Sequence, residues 1–467
     1  MVGQDEEHRY VCHECIGDAY LKNEIERIGA VHTCMICDKR QKCTDFEELC
    51  DRIHVIMTED FERVSSDSYS YYGGGLDLER SGDGLYQIFY EIIESEGYLL
   101  DEIKEYLSNC HYSYDDAAMG EENPYGDETN YRYRKPSINE ALGEWAAFET
   151  EIRSRSRFFN RRAEVILNGI FAPLARFKNR ERDIIRDAGP GTNLSKIFRA
   201  RRATTNAEIA RIVENPIAEL GAPPSRHAGS GRMNPRWIPM FYGARDAETC
   251  VAEIRPPVGS AVVIGQFDII RKLRLLDLTA LQDLYVEEAS YFDPVFRTLK
   301  SKADFLGKLV GIMSQPVTSA DNDYEYLPTQ FVVEFLSEKF DENLDGIIFH
   351  SSQSGGEKQN IVLFQDSALV EAAEYLEKEL ETDFGWATDD DFDDSITVWF
   401  RKADISPQAQ KSSADEWIDL PVTPQLPPTL RLELTSIEVR KIVAVAYDDS
   451  IRRRVSRFQK TEGDDPF

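Results

Sequence analysis

Two groups of residues in this chain have the types and spacing to do chemistry. The first is a set of four cysteines, Cys12-x-x-Cys15 and Cys34-x-x-Cys37, with eighteen residues between the pairs. Each CxxC turn offers two thiolates on one knuckle, and four thiolates complete the tetrahedron that structural zinc takes. The chain starts MVGQDEEHRY, without a basic or apolar leader, so we expect a reducing, cytoplasmic setting in which this spacing favours metal over disulfides. His13, His32, Cys43 and Cys50 are alternative ligands. A catalytic zinc would keep an open coordination position, and nothing in the pattern argues for one. The expectation is a closed structural zinc on Cys12, Cys15, Cys34 and Cys37.

The second group is dispersed but ordered. It comprises IFRARR (Ile197–Arg202), GSGRMNP (Gly229–Pro235) followed by MFYGA (Met240–Ala244), DAETCVAEIRP (Asp246–Pro256), and DGIIFHSS (Asp345–Ser352). Each element suits a dinucleotide that carries a flat cationic ring. Gly231 and Arg232, with Asn234 beside them, bring an arginine fork and backbone N–H groups close to a pyrophosphate. Arg199, read as lying at a strand end, is a second phosphate or ribose ligand. Tyr242 offers a flat face and a hydroxyl. Asp246 reads as the N-cap of a helix over Ala247–Ile254, with Ala247, Cys250, Val251 and Ile254 on its apolar face and Glu253 at the margin. Ser351 closes a buried strand. Taken singly, each has an ordinary explanation: a salt-bridge arginine, a solvated glutamate, a Gly/Pro loop, a strand-end serine. Only the ordered set points to a site.

The rest of the chain indicates the scaffold around these residues. Its 467 residues suggest two or three domains. No apolar run is long enough to span a membrane. The formal net charge of −30 disfavours nucleic acid as a partner, yet residues 191–260 carry ten Lys/Arg against six Asp/Glu, which suits a small anion. After the cysteine-rich head (1–50), residues 51–187 read as mostly helical. Gly84–Leu107 and Ile138–Phe177 are apolar at helical spacing, and a polar loop lies between them. Asp187-Ala-Gly-Pro-Gly191 marks a boundary. From 191 to 450 short β-rich runs (Ala261–Phe267, Leu273–Leu278, Asp345–His350, Asn360–Phe364, Leu430–Ile437, Val439–Tyr447) alternate with helices such as Pro328–Phe340, giving an α+β domain. The acidic stretch Leu376–Ser395 reads as a solvated insertion.

The ordered set resembles the RES family, named for its Arg, Glu and Ser. Phe198-Arg199, Gly231-Arg232-Met233-Asn234, Tyr242, Ala252-Glu253 and Asp345 through Ser351 carry the resemblance, with the A-L-x-E pattern shortened to Ala252-Glu253. It spans roughly 195 to 450. The region before it resembles the N-terminal segment fused to some RES proteins and grouped with HEPN-like domains. That second likeness rests on the cysteine head and on RFFNRR (Arg157–Arg162), without the Arg–His pair of HEPN ribonucleases. The resemblance implies an ADP-ribosyltransferase-like fold and NAD as substrate. It implies Glu253, Arg199 and Ser351 as catalytic groups, and Gly231, Arg232, Asn234 and Tyr242 as binding groups. Nicotinamide leaves a pyridinium as a neutral amine, so no general acid is needed, and a carboxylate near the oxocarbenium-like centre lowers the barrier. Water, phosphate or a protein side chain remain open as acceptors. Many RES proteins are toxins that degrade NAD beside an antitoxin, and others ADP-ribosylate a macromolecule. An antitoxin or regulatory partner and self-association are therefore expectations here. A nucleotide-binding sensor without catalysis is the remaining alternative.

Overall fold

The structure is a computed structural model that describes residues 8–64, 82–113, 115, 118–120, 122–135, 137–287, 290–314, 322–340, 342–351, 353, 358–372, 380–384, 387–388, 391–392, 396–400 and 426–445. Short acidic side chains start its first helices. Asp18 Oδ1 accepts from the Leu21 N–H at 2.7 Å ahead of Ala19–Ile28, and Asp45 Oδ1 accepts from Glu47 and Glu48 ahead of Phe46–Asp60. Each cap satisfies donors that a helix end leaves orphaned. Strands Tyr10–Cys12, Ala30–Thr33 and Arg40–Asp45 form an antiparallel sheet with the last in the middle. Val11, Leu21 and Ile25 of this head pack into one core with Phe46, Ile53, Phe89 and Ile103.

Contacts group the chain into two units, one of residues 1–185 with 277–340 and one of residues 186–276 with 341–467. This grouping divides the chain differently from the three-part reading of the sequence. The head shares its core with the helices that follow, and 277–340 joins the N-terminal half.

Three local expectations are corrected. Gly84–Leu107 is two helices, Leu85–Ile93 and Tyr98–His111, because Glu94 (φ 52°) and Gly97 (φ 73°) turn the backbone left-handed between them. Ile138–Phe177 also breaks: Asn139–Ser154 ends, and Asn160 caps Arg161–Phe171 by accepting from Ala163 N–H at 3.1 Å. RFFNRR is thus mainly a turn, with Phe158 and Phe159 exposed. The polar segment between these stretches contains the strand Asn130–Tyr133 and buries Tyr125, whose hydroxyl lies 2.6 Å from His54 Nδ1.

The second unit is built on an eight-stranded sheet. Its strands are β1 (Ile185–Ala188), β2 (Lys196–Ala203), β3 (Phe241–Ala244), β4 (Ala261–Ile269), β5 (Leu273–Asp277), β6 (Gly346–His350), β7 (Gln359–Leu363) and β8 (Leu430–Lys441). They lie in the order β8-β4-β2-β3-β7-β6-β5-β1. The two late strands expected from sequence are one, bent by a register shift opposite Ile264 and Gln266. Side chains alternate across the sheet. Ile197, Phe241, Val263, Ile361 and Ile348 bury one face with helices α1 (Asn206–Glu214) and α2 (Pro216–Leu220). On the other, Phe198, Ala200, Val262 and Ile264 meet Ala247, Val251 and Ile254 of α3 (Ala247–Ile254). Much of Leu376–Ser395 lies outside the described residues. Within it, Leu380–Phe384 is a strand, and Phe384 packs on the first-face core, so this part is not a purely solvated insertion.

Candidate functional site

The α3 face of the sheet gathers most of the dispersed set. Asp246 caps α3 as the sequence indicates, accepting from the Thr249 N–H at 2.8 Å. Burial raises its carboxyl, but the Thr249 N–H and hydroxyl, with Lys358 at 3.2 Å, outweigh burial and hold it below the usual range. With α3 anchored, Glu253 near its C-terminal end reaches side chains at the end of β6 and in β7. It is exposed, yet one oxygen is fixed: Oε1 accepts from Ser351 Oγ at 2.5 Å and from Asn360 Nδ2 at 2.8 Å. Ser351 is fully buried just past β6, and its N–H donates to Lys358 O.

A second knot lies on the same face. The Tyr242 hydroxyl donates to Asn234 Oδ1 at 2.6 Å and accepts from the Met233 N–H at 3.2 Å. Asn234 is buried, and its Nδ2 donates to the carbonyls of Gly229 and Ile238. Gly231 N–H donates to Asn234 O. A Cβ at Gly231 would stand 2.6 Å from Asn234 Oδ1 and 2.9 Å from the Tyr242 hydroxyl, so only glycine fits. Arg232 is therefore held between two pinned residues. Tyr242 and Ala244 share a face of β3, and Ala244 pairs with Asn360 of β7, so the two knots are neighbours across adjacent strands.

Arg199 is the member that the structure keeps apart. It sits inside β2, not at its end, paired with Gly265 across β4. Its odd-numbered neighbour Ile197 faces the α1/α2 core, and its guanidinium lies 5.0 Å from the centre of the Phe241 ring in that core. A Cβ on Gly265 would meet Leu220 and Leu432 of the same side. Strand parity thus turns Arg199 away from Glu253. Burial draws its guanidinium down to about 10, and Nη1 has no hydrogen-bond partner among the described residues. Cys250 is no nucleophile: burial pushes its thiol up to about 12, and Sγ donates to Phe198 O at 2.9 Å. Sequence reasoning missed Asn360. A polar residue inside the apolar run NIVLF was the available signal.

In the first unit the four cysteines converge, with all four Sγ atoms within 4.8 Å of one another. Tetrahedral Zn–S bonds of about 2.3 Å place sulfurs roughly 3.8 Å apart, and Cys12–Cys37 and Cys15–Cys34 stand at 3.6 and 3.8 Å. Cys34 Sγ accepts from the N–H groups of Cys12 (3.3 Å) and Ile36 (3.4 Å). Burial raises the Cys34 thiol, but these N–H groups and that of Cys37 bring it down to about 7. This donor set fits a metal ion. The alternatives are engaged elsewhere: His13 contacts Lys42 O and Glu26, His32 stacks on Tyr10, Cys43 donates to His32 O, and Cys50 lies in the apolar core.

Comparison with known proteins identifies a RES domain at residues 200–387. No curated protein and no solved structure matches the chain. The family match holds Arg232, Tyr242, Glu253, Ser351 and Asn360. It does not reach the N-terminal region likened to HEPN domains.

Proposed function

We propose that the RES domain cleaves the nicotinamide–ribose bond of NAD by hydrolysis or phosphorolysis, and that the protein acts as a cytoplasmic NAD-depleting toxin or defence effector. The observation that supports this reading best is Glu253, an exposed carboxylate with one oxygen fixed by Ser351 and Asn360, beside a glycine-arginine loop pinned by Tyr242. A carboxylate so placed stabilises the positive charge that grows on the ribose as neutral nicotinamide departs. Arg232 and the loop N–H groups suit the pyrophosphate, and Tyr242 the riboside end. Water or phosphate attacks C1 of the ribose. The cysteine cluster holds a structural zinc in this reading, and an antitoxin or regulatory protein restrains the activity.

Intracellular NAD, measured after induced expression, tests it. Wild type should drain NAD and arrest growth, and Glu253→Gln should do neither. Arrest with NAD unchanged would point to ADP-ribosylation of a macromolecule instead.

A further inference from the structure

We propose that Asn360 is a positioning residue for Glu253, holding one carboxylate oxygen so that the other is the one offered to substrate. This rests on the NAD reading above. Asn360 lies inside β7, 6% exposed, where a polar side chain must find a partner. Its neighbours in register are Ala244 and Phe349. The small Ala244 leaves the amide room to reach α3, and Nδ2 donates to Glu253 Oε1 at 2.8 Å. Ser351 Oγ donates to that same oxygen at 2.5 Å.

The three groups come from three elements: α3, the end of β6, and β7. A lone carboxylate turns readily about its terminal torsion, whose wells are broad. Two donors from separate strands converging on one oxygen stop that turning. Oε2 accepts no hydrogen bond from a described residue, and Glu253 is exposed, so Oε2 is the oxygen available to a ribose hydroxyl or to the charge forming at C1. Asn360 itself touches no reacting atom in this account. It acts by removing the wrong orientations of Glu253 before substrate arrives.

The test is NAD cleavage and NAD binding by the full-length chain carrying Asn360→Ala, Asn360→Ser, Asn360→Asp, Glu253→Ala, and Asn360→Ala with Glu253→Ala. Asn360→Ala should lower kcat about ten- to a hundredfold, the scale for losing a group that orients another, with NAD affinity unchanged. Asn360→Ser retains a donor and should recover part of the loss. In the Glu253→Ala background, Asn360→Ala should cost nothing further, because its only route to the reaction is gone. A structural role would cost the same in both backgrounds. Asn360→Asp keeps the shape and turns the donor into a second carboxylate, so it carries the test if the alanine variant fails to fold, and should lose at least as much. Normal kcat in Asn360→Ala or Asn360→Asp overturns the proposal alone. Wild-type protein that leaves NAD intact overturns the proposal and the reading beneath it together.

Discussion

The cysteine cluster and the Glu253 cluster are both convergent sets of polar side chains, but they are built oppositely. The cysteines come from two tight knuckles, sit buried or half-buried, and present sulfurs to one another. The Glu253 set comes from a helix and two strands, and its carboxylate is exposed with one oxygen left over. A set whose donors all point inward suits a resident ion that holds a fold. A set with one oxygen pointing outward suits a ligand that arrives and leaves.

Removing metal should have the largest effect. Structural zinc in small modules contributes about 10–16 kcal/mol of apparent binding energy. Cys34→Ser should therefore lose the metal and unfold the head, and its core neighbours Phe46, Ile53 and Phe89 with it. Elemental analysis and limited proteolysis check this. Freshly purified wild type without zinc would show that the cysteine cluster holds no resident zinc ion.

The two arginines lie on different sides of the question of NAD binding. Arg232→Ala should weaken NAD binding by about 1.5–3 kcal/mol, the scale of one hydrogen bond to a charged group, or roughly ten- to a hundredfold. Arg199→Met replaces a cation whose Nη1 is unpaired among the described residues by an apolar side chain against Phe241. It should leave NAD affinity unchanged and be neutral to stabilising. Calorimetry with NAD and thermal melts separate the two. Loss of affinity in Arg199→Met would show that the α1/α2 face of the sheet takes part in binding.

The smallest effect lies in the first unit. Burial and the stacked ring of His111, 3.6 Å away, lower His54 below its ordinary value near 6.5. The folded chain thus refuses a proton that the unfolded chain accepts. Its stability is full above pH 6.5 and falls as pH drops below that value. Melting temperature between pH 8 and 5.5 should fall less steeply in His54→Gln. Equal slopes would remove His54 as the cause.

What could be read from the residues alone follows the same division. CxxC spacing fixes two ligands on one turn, so Cys12, Cys15, Cys34 and Cys37 were legible without the fold. Asp246 and the apolar face of α3 were legible because a cap and a helical period are local signals. Glu253, Ser351, Tyr242 and Arg232 were legible only as an ordered set. The strand-end placement expected for Arg199 failed because a motif encodes neither strand bounds nor register, and register decides which face of the sheet a residue shows. Asn360 was missed because its partner lies 107 positions away. The broken helices at Glu94 and at 155–160 were missed because apolar periodicity ran through both turns.

NAD cleavage by the Glu253 face underlies the proposals for Arg232 and Asn360. Its most direct test is incubation of purified full-length protein with NAD, with and without inorganic phosphate, followed by chromatography of the products. Nicotinamide should be released together with ADP-ribose or, where phosphate is the acceptor, its 1-phosphate. Glu253→Gln should slow release by about a hundredfold or more, the scale for one preorganised electrostatic group. Intact NAD in the wild-type reaction, or release by Glu253→Gln at the wild-type rate, would contradict it.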